Sequence, residues 1–163
     1  MPASYSAIQT LSILSDARAS SSTFVAGWES AEVNNTSDLY DDVHIEGFVT
    51  VGTTPTANTE IRIYVWGSNQ SIATLTKDAL DGTGSSETFG TVGIRDGIVS
   101  LIATMYVDAA TSNQRYYFGA VGLAQFFGGI MPSYWGIYGS HNTGVNTNTT
   151  VGNHSMVWKG IKY

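Results

Sequence analysis

Apolar and polar residues alternate along residues 43–51, and this period of two limits the fold more than any other feature of the chain. Val43 and Ile45 fall on one side of the pattern, and His44 and Glu46 fall on the other. Successive side chains of a β-strand point to opposite faces of a sheet. The segment is therefore predicted to be a strand with one buried face.

Residues 60–66 repeat this alternation after a turn-rich stretch that contains Pro55. Their second face carries Tyr64 and Trp66 next to Arg62, whereas the first face is aliphatic. Large aromatic side chains stabilise a sheet when other groups pack over them. We therefore expect both faces of this strand to be covered, the second at least in part.

The rest of the chain is also rich in β-type segments. The pattern predicts further strands over residues 87–94, 98–107, 115–127, 134–138 and 154–162. A tight turn is predicted at residues 95–97, a hairpin-like connection at 108–114 and one short helix within 72–80. Seven to nine strands at this spacing indicate an all-β fold, a two-sheet antiparallel β-sandwich resembling a jelly roll.

The first 22 residues differ from the rest. A short apolar patch precedes a Ser-rich stretch, and it consists of Ile8, Leu11, Ile13 and Leu14. We interpret residues 1–22 as an N-terminal arm or leading strand, and residues 23–163 as the sandwich domain. The patch is a predicted interface, and the arm is expected to order only against a partner, by strand addition or exchange.

Composition excludes several classes of function. The net charge is −6 and the seven Lys and Arg residues are scattered, which argues against nucleic-acid binding. With no cysteine, the chain has no disulfide, thiolate nucleophile or cysteine metal site. No stretch is apolar enough to span a membrane, and the start lacks the pattern of a signal peptide, so synthesis in a cytoplasm is expected.

Few residues are candidates for chemistry. His44 and Glu46 share a strand face and offer two metal ligands, but an exposed polar face explains them more simply. Asp41 and Asp42 fit turn and edge roles, and residues 78–84 only faintly resemble a calcium loop. The sequence contains no nucleophile elbow, phosphate loop or zinc-protease motif. We predict neither an enzyme nor a cofactor.

Aromatic residues make up 12% of the chain. We interpret Trp28, Tyr64, Trp66 and Trp135 as buried anchors, either in the core or at a subunit interface. The alternative is a set of stacking platforms for a sugar. No loop groups Trp with Asp, Asn or Arg into a sugar pocket, and this favours the first interpretation.

Residues 27–43, 47–66 and 128–137, followed by 141–144 and a terminal Tyr163, together resemble a family of small virion proteins of tailed bacteriophages and prophages. The similarity extends over most of residues 24–163. In that family a Leu-Pro pair and a basic residue precede the Trp-Gly pair. Here residues 131–136 read Met-Pro-Ser-Tyr-Trp-Gly, which departs from the pattern.

The resemblance implies a structural protein of the phage particle, and the size and fold class favour a capsid decoration (cement) protein. Its implied partners are copies of itself, preferably as a trimer, and the major capsid protein. Its implied location is the capsid surface of the virion. Two alternatives stay open: a carbohydrate-binding β-sandwich for host recognition, and a tail or neck component.

Overall fold

Strands dominate the computed structural model, which describes residues 2–13, 15–74, 80–150 and 152–163. One α-helix, α1, covers Val92–Ile98, and short 3-10 turns cover Ile72–Thr74 and Ala124–Phe127. The strands of the described residues are β1 (Ser4–Tyr5), β2 (Gln9–Thr10), β3 (Ala26–Glu29), β4 (Val33–Asn34), β5 (Asp42–Thr50), β6 (Thr59–Ser68), β7 (Ser86–Thr88), β8 (Ser100–Val107), β9 (Arg115–Gly122), β10 (Tyr134–His141) and β11 (Ser155–Lys162).

The strands form two antiparallel sheets, which confirms the predicted two-sheet sandwich. The first sheet has the order β1-β11-β5-β9, with β2 also paired to β11. The second has the order β7-β3-β10-β6-β8, with β4 also paired to β10. If β1 and β2 count as one strand and the short β4 and β7 are set aside, the orders become 1-8-3-6 and 2-7-4-5. This arrangement of two interlocked Greek keys is that of a jelly roll.

The main core lies between the two sheets and is built from alternate residues of each strand. Val43, Ile45 and Val49 of β5 are fully buried there, as are Ile61 and Ile63 of β6. The polar residues between those of β5 point away from the core, as the alternation predicts. The period of two therefore sets the side of the sheet that each residue occupies.

The outer face of the second sheet is buried as well, which confirms the expectation for β6. Tyr64 and Trp66 belong to a second apolar cluster together with Tyr138, Phe89 and Leu80. Residues 69–74 and 80–99, here called the covering segment, supply Leu80 and Phe89. The second sheet is thus covered by the first sheet on one side and by the covering segment on the other.

Within the covering segment, the prediction of a strand over residues 87–94 and a turn over 95–97 is wrong. The strand β7 ends at Thr88, and α1 then begins with Thr91 as its N-cap, whose hydroxyl accepts from the Ile94 amide. Arg95 anchors the helix: its buried guanidinium donates to the carbonyl of Phe24. These tertiary contacts override a weak local β preference.

Within the described residues, no helix is long and apolar enough to cross a membrane.

Three other predicted boundaries change. Residues 108–114 do not form a hairpin, because β8 pairs with β6 in the second sheet and β9 pairs with β5 in the first. The strand predicted over residues 115–127 ends at Gly122, where the chain turns into a 3-10 helix. β10 runs to His141, three residues beyond its predicted end, because its whole length pairs with β6.

The N-terminal arm lies along its own chain. β1 and β2 pair with β11 at the edge of the first sheet, so the expectation that the arm orders only against a partner is wrong for this segment. Leu11 is buried in the main core, Ile13 packs against that core, and Ile8 is 63% exposed. Leu14, the fourth predicted interface residue, lies outside the described residues.

A close contact between a glycine and an indole ring fixes the approach of β3 to β10. Gly139 of β10 faces Trp28 of β3 in the strand register, and a Cβ at Gly139 would overlap the indole ring. Trp28 is fully buried and cannot move aside without disturbing the core. Gly139 is therefore needed for the space that it leaves open.

We predict that Gly139→Ala destabilises the fold by about 1–3 kcal/mol, the usual range for overpacking. Gly119→Ala on β9 is the matched control, because nothing lies within 4 Å of a Cβ at that position. Urea unfolding of both variants measures the free energies. Equal stabilities of the two variants would contradict the account of this contact.

His141 joins the end of β10 to the segment before β3. Its imidazole is fully buried, with Nε2 3.0 Å from the Arg18 carbonyl and Nδ1 2.9 Å from the Thr143 hydroxyl. Burial lowers the pKa of His141, and burial also lowers the pKa of His154. Both histidines are therefore neutral in the folded chain at pH values where they are protonated in the unfolded chain.

Below a pH of about 6.5, these two histidines bind more protons in the unfolded chain than in the folded chain, so their contribution makes the free energy of unfolding decrease as the pH is lowered. We predict that replacing both histidines, by His141→Gln and His154→Gln, flattens this acid limb. Urea unfolding at several pH values between neutral and mildly acidic measures the slope. Where the substitutions lower the free energy of unfolding by the same amount at every pH, the slope of that free energy against pH is unaffected. An unchanged slope would refute the assignment.

Candidate functional site

One large sheet face is left uncovered by the residues that the structure describes. The outer face of the first sheet presents exposed or half-buried side chains along three adjacent strands. We call this surface the open face and define it by His44, Glu46, Phe48, Tyr117, Val157 and Lys159. Because the covering segment packs on the other sheet, the sandwich has one closed side and one open side.

An aromatic pair lies on the open face, with an arginine against it. Phe48 and Tyr117 are directly opposite in the β5–β9 register, and their ring centroids are 5.3 Å apart. The Arg115 guanidinium lies 4.7 Å from the Phe48 ring centroid. Tyr117 is nevertheless 65% exposed. Tyr and Arg are the residue types that most often dominate binding energy in protein interfaces, so this group has the chemistry of an association site.

Two shallow pockets adjoin the aromatic pair and share Glu46 and Val157 in their walls. Their volumes are about 240 and 330 Å³. Ile8 of the N-terminal arm lines the smaller one together with His44. The open face is therefore a shallow mixed surface of aromatic, aliphatic and charged groups, which suits contact with another protein better than enclosure of a small ligand.

The histidine and acidic residues around β5 that were considered for metal binding or catalysis do not come together in one site. His44 Nε2 lies 3.7 Å from Asp42 Oδ2, while Asp42 Oδ1 accepts from the amides of Val43 and Ala124. Asp41 accepts from the backbone amide of Tyr163. Asp41 and Asp42 thus act as edge and turn residues. His44 and Glu46 belong to no group of three metal-ligating side chains in the described part of the chain.

All four aromatic residues predicted as anchors lie inside the chain. Trp28, Trp66 and Trp135 are at most 2% exposed, and Tyr64 is 3% exposed. Of the two places predicted for these anchors, core or subunit interface, the four side chains occupy the core. They are not surface platforms for a sugar. The most exposed aromatic side chain on the open face is Tyr117, which the sequence pattern did not single out.

A second polar site lies at the edge between β3, β7 and the loop that precedes β7. One carboxylate oxygen from each of Glu29, Asp81 and Glu87 lies within 4.8 Å of the others. We call these residues the acid cluster. Glu29 is fully buried, Glu87 is half-buried and Asp81 is exposed. The strand pairing of β3 with β7 and the bridge between Ala31 and Thr83 hold the three chain segments together.

The electrostatics of the acid cluster are unusual for a surface. Burial raises the pKa of Glu29 to about 8, and a hydrogen bond to Asp81 adds to this shift. The same hydrogen bond lowers the pKa of Asp81, and burial raises the pKa of Glu87. Without a cation, Glu29 and Asp81 therefore share a proton. The faint resemblance of residues 78–84 to a calcium loop was the only sequence signal for this cluster, because Glu29 lies far away along the chain.

No family model matches the chain, and no curated protein matches its sequence.

Proposed function

We propose that this chain is a non-enzymatic structural protein of a bacteriophage particle, a capsid decoration protein that bridges neighbouring capsid subunits. The observation that carries the proposal is the open face, with Tyr117 exposed on β9 beside Phe48 and Arg115. The resemblance of residues 24–163 to small virion proteins supplies the setting. Its partners would be the major capsid protein and further copies of this chain.

The asymmetry of the sandwich supports an association role. The central strands β6 and β10 of the second sheet are covered on both sides, so Trp66, Trp135 and Tyr138 stabilise the fold and are not available for contact. The exposed groups of the open face lie on β11, β5 and β9, and backbone hydrogen bonds join β5 to β11 on one side and to β9 on the other. Little conformational entropy is then lost when a partner binds, which favours affinity.

The edge of the first sheet offers a second means of assembly. β1 and β2 contain two residues each, and they pair with β11 through only a few positions. Short edge pairings of this kind can exchange between identical chains with little loss, because the same hydrogen bonds form with a neighbour. In an oligomer the N-terminal arm would then lie along the β11 of an adjacent copy.

Binding energy alone would perform the function. A decoration protein touches several subunits of the shell at once, so contacts of modest strength add through high effective concentration. A net charge of −6 and the absence of cysteine suit a chain that is made in a cytoplasm and assembles afterwards.

We expect the purified chain to be a trimer in size-exclusion chromatography with light scattering. Tyr117→Ser should weaken the trimer by about 2 kcal/mol per contact, the scale of an interface hot spot. Tyr106→Ser is the matched control, since Tyr106 is 54% exposed on a strand of the other sheet. Circular dichroism checks that both variants keep the fold.

A monomer at all concentrations would contradict the proposal, and so would equal effects of the two substitutions. A glycan array with the same protein tests the carbohydrate-binding alternative, and binding of one glycan class by a monomer would replace the proposal with it. Co-purification with tails instead of heads would move the protein to the tail or neck.

A further inference from the structure

Each carboxylate of the acid cluster has one oxygen held by local donors. Glu29 Oε1 accepts from the amides of Asp81 and Thr83, at 3.2 and 3.0 Å. Asp81 Oδ1 accepts from the Thr83 amide and hydroxyl, and Glu87 Oε1 accepts from the Ser85 hydroxyl at 2.6 Å. These bonds fix the orientation of the carboxylates and leave the second oxygen of each available.

Glu29 Oε2 is the atom that needs a partner. Glu29 is fully buried, and no N–H or O–H group of the described residues donates to Oε2. The neighbouring Asp81 carboxylate can hydrogen-bond to Glu29 only through a shared proton, so a cation between the two carboxylates is the alternative to that proton. Leaving a buried carboxylate oxygen without a partner is costly, and such atoms are rare in folded proteins. The ion pairs of the described residues are His44–Asp42, Arg62–Glu60 and Arg95–Asp96, and none involves the acid cluster.

We propose that Glu29, Asp81 and Glu87 bind one calcium ion that ties the covering segment to the second sheet. Calcium–oxygen distances are about 2.3–2.6 Å, so two ligands on opposite sides of the ion are at most about 5 Å apart. The 4.8 Å limit within which the three oxygens lie meets this condition. The proposal is independent of the association role of the open face.

The donor set selects the class of cation. All three side chains offer carboxylate oxygens, and the cluster contains no histidine, so a hard cation is favoured over zinc or copper. Asp81 is exposed and Glu87 half-buried, which leaves room for water molecules to complete six to eight ligands. Calcium accepts such an irregular shell, whereas magnesium requires a near-ideal octahedron.

The position of the ion gives it a structural role. Glu29 lies on β3 and Glu87 lies on β7. Asp81 lies in the loop that connects Leu80, a member of the second apolar cluster, to β7. Binding would join three segments that otherwise meet through short pairings. It would also neutralise the repulsion between neighbouring carboxylates at the edge of the sheet.

Isothermal titration calorimetry of chelator-treated protein with calcium chloride tests the site. We expect one equivalent to bind with a Kd of about 10⁻⁴–10⁻³ M, as in small extracellular calcium modules, and magnesium to bind more weakly. Asp81→Asn and Glu87→Gln should each weaken calcium binding about tenfold or more, because the charge of the ligands sets the affinity. Both substitutions keep an oxygen acceptor for the local hydrogen bonds, so the loop should hold its shape.

Thermal unfolding supplies the second readout. Calcium should raise the Tm of the natural chain and of the control Asp38→Asn, an exposed acid outside the cluster. It should not raise the Tm of Asp81→Asn or of Glu29→Gln, which replaces the buried carboxylate with a group of similar size. Absence of saturable calcium binding by the natural chain would overturn the proposal, as would equal affinities of Asp81→Asn and Asp38→Asn.

Discussion

Burial of both faces of β6 and β10 is the constraint on which the rest of the structure depends. Ile137 and Trp135 of β10 lie in the main core, whereas Tyr138 lies in the second cluster on the opposite face. A strand that is apolar on both sides needs a layer on each side. The first sheet supplies one layer, and the covering segment supplies the other. Arg95 holds α1 against the segment just before β3, because its guanidinium donates to the carbonyls of Thr23 and Phe24.

The same constraint explains why the molecule has an open side. The covering segment packs over the central strands of the second sheet, so the outer face of the first sheet meets solvent or a partner. That face combines an aromatic pair, an arginine and an exposed aliphatic residue of the arm. The proposed association role rests on the groups that the fold leaves exposed, whereas the calcium proposal concerns the covered side, at the covering segment.

Periodicity predicted the parts of the fold that depend on local pattern. The alternation in β5 and β6 correctly assigned the faces of Ile45 and Tyr64, because a strand offers only two sides. It did not predict α1, whose formation depends on Arg95 reaching carbonyls some seventy residues away in the sequence. The aromatic anchors were assigned without a means of telling core from surface, and only the register shows Tyr117 beside Phe48. The acid cluster was missed for the same reason: its members come from three separate segments.

Hydroxyl-radical footprinting of the chain, dilute and then assembled, tests the central claim that the open face is the contact surface. Oxidation reports the exposure of individual side chains, and both sheets carry an exposed tyrosine, Tyr117 on the first and Tyr106 on the second. The account predicts that assembly protects Tyr117 and leaves the oxidation of Tyr106 unchanged. Protection of Tyr106 with Tyr117 still fully oxidised would contradict it.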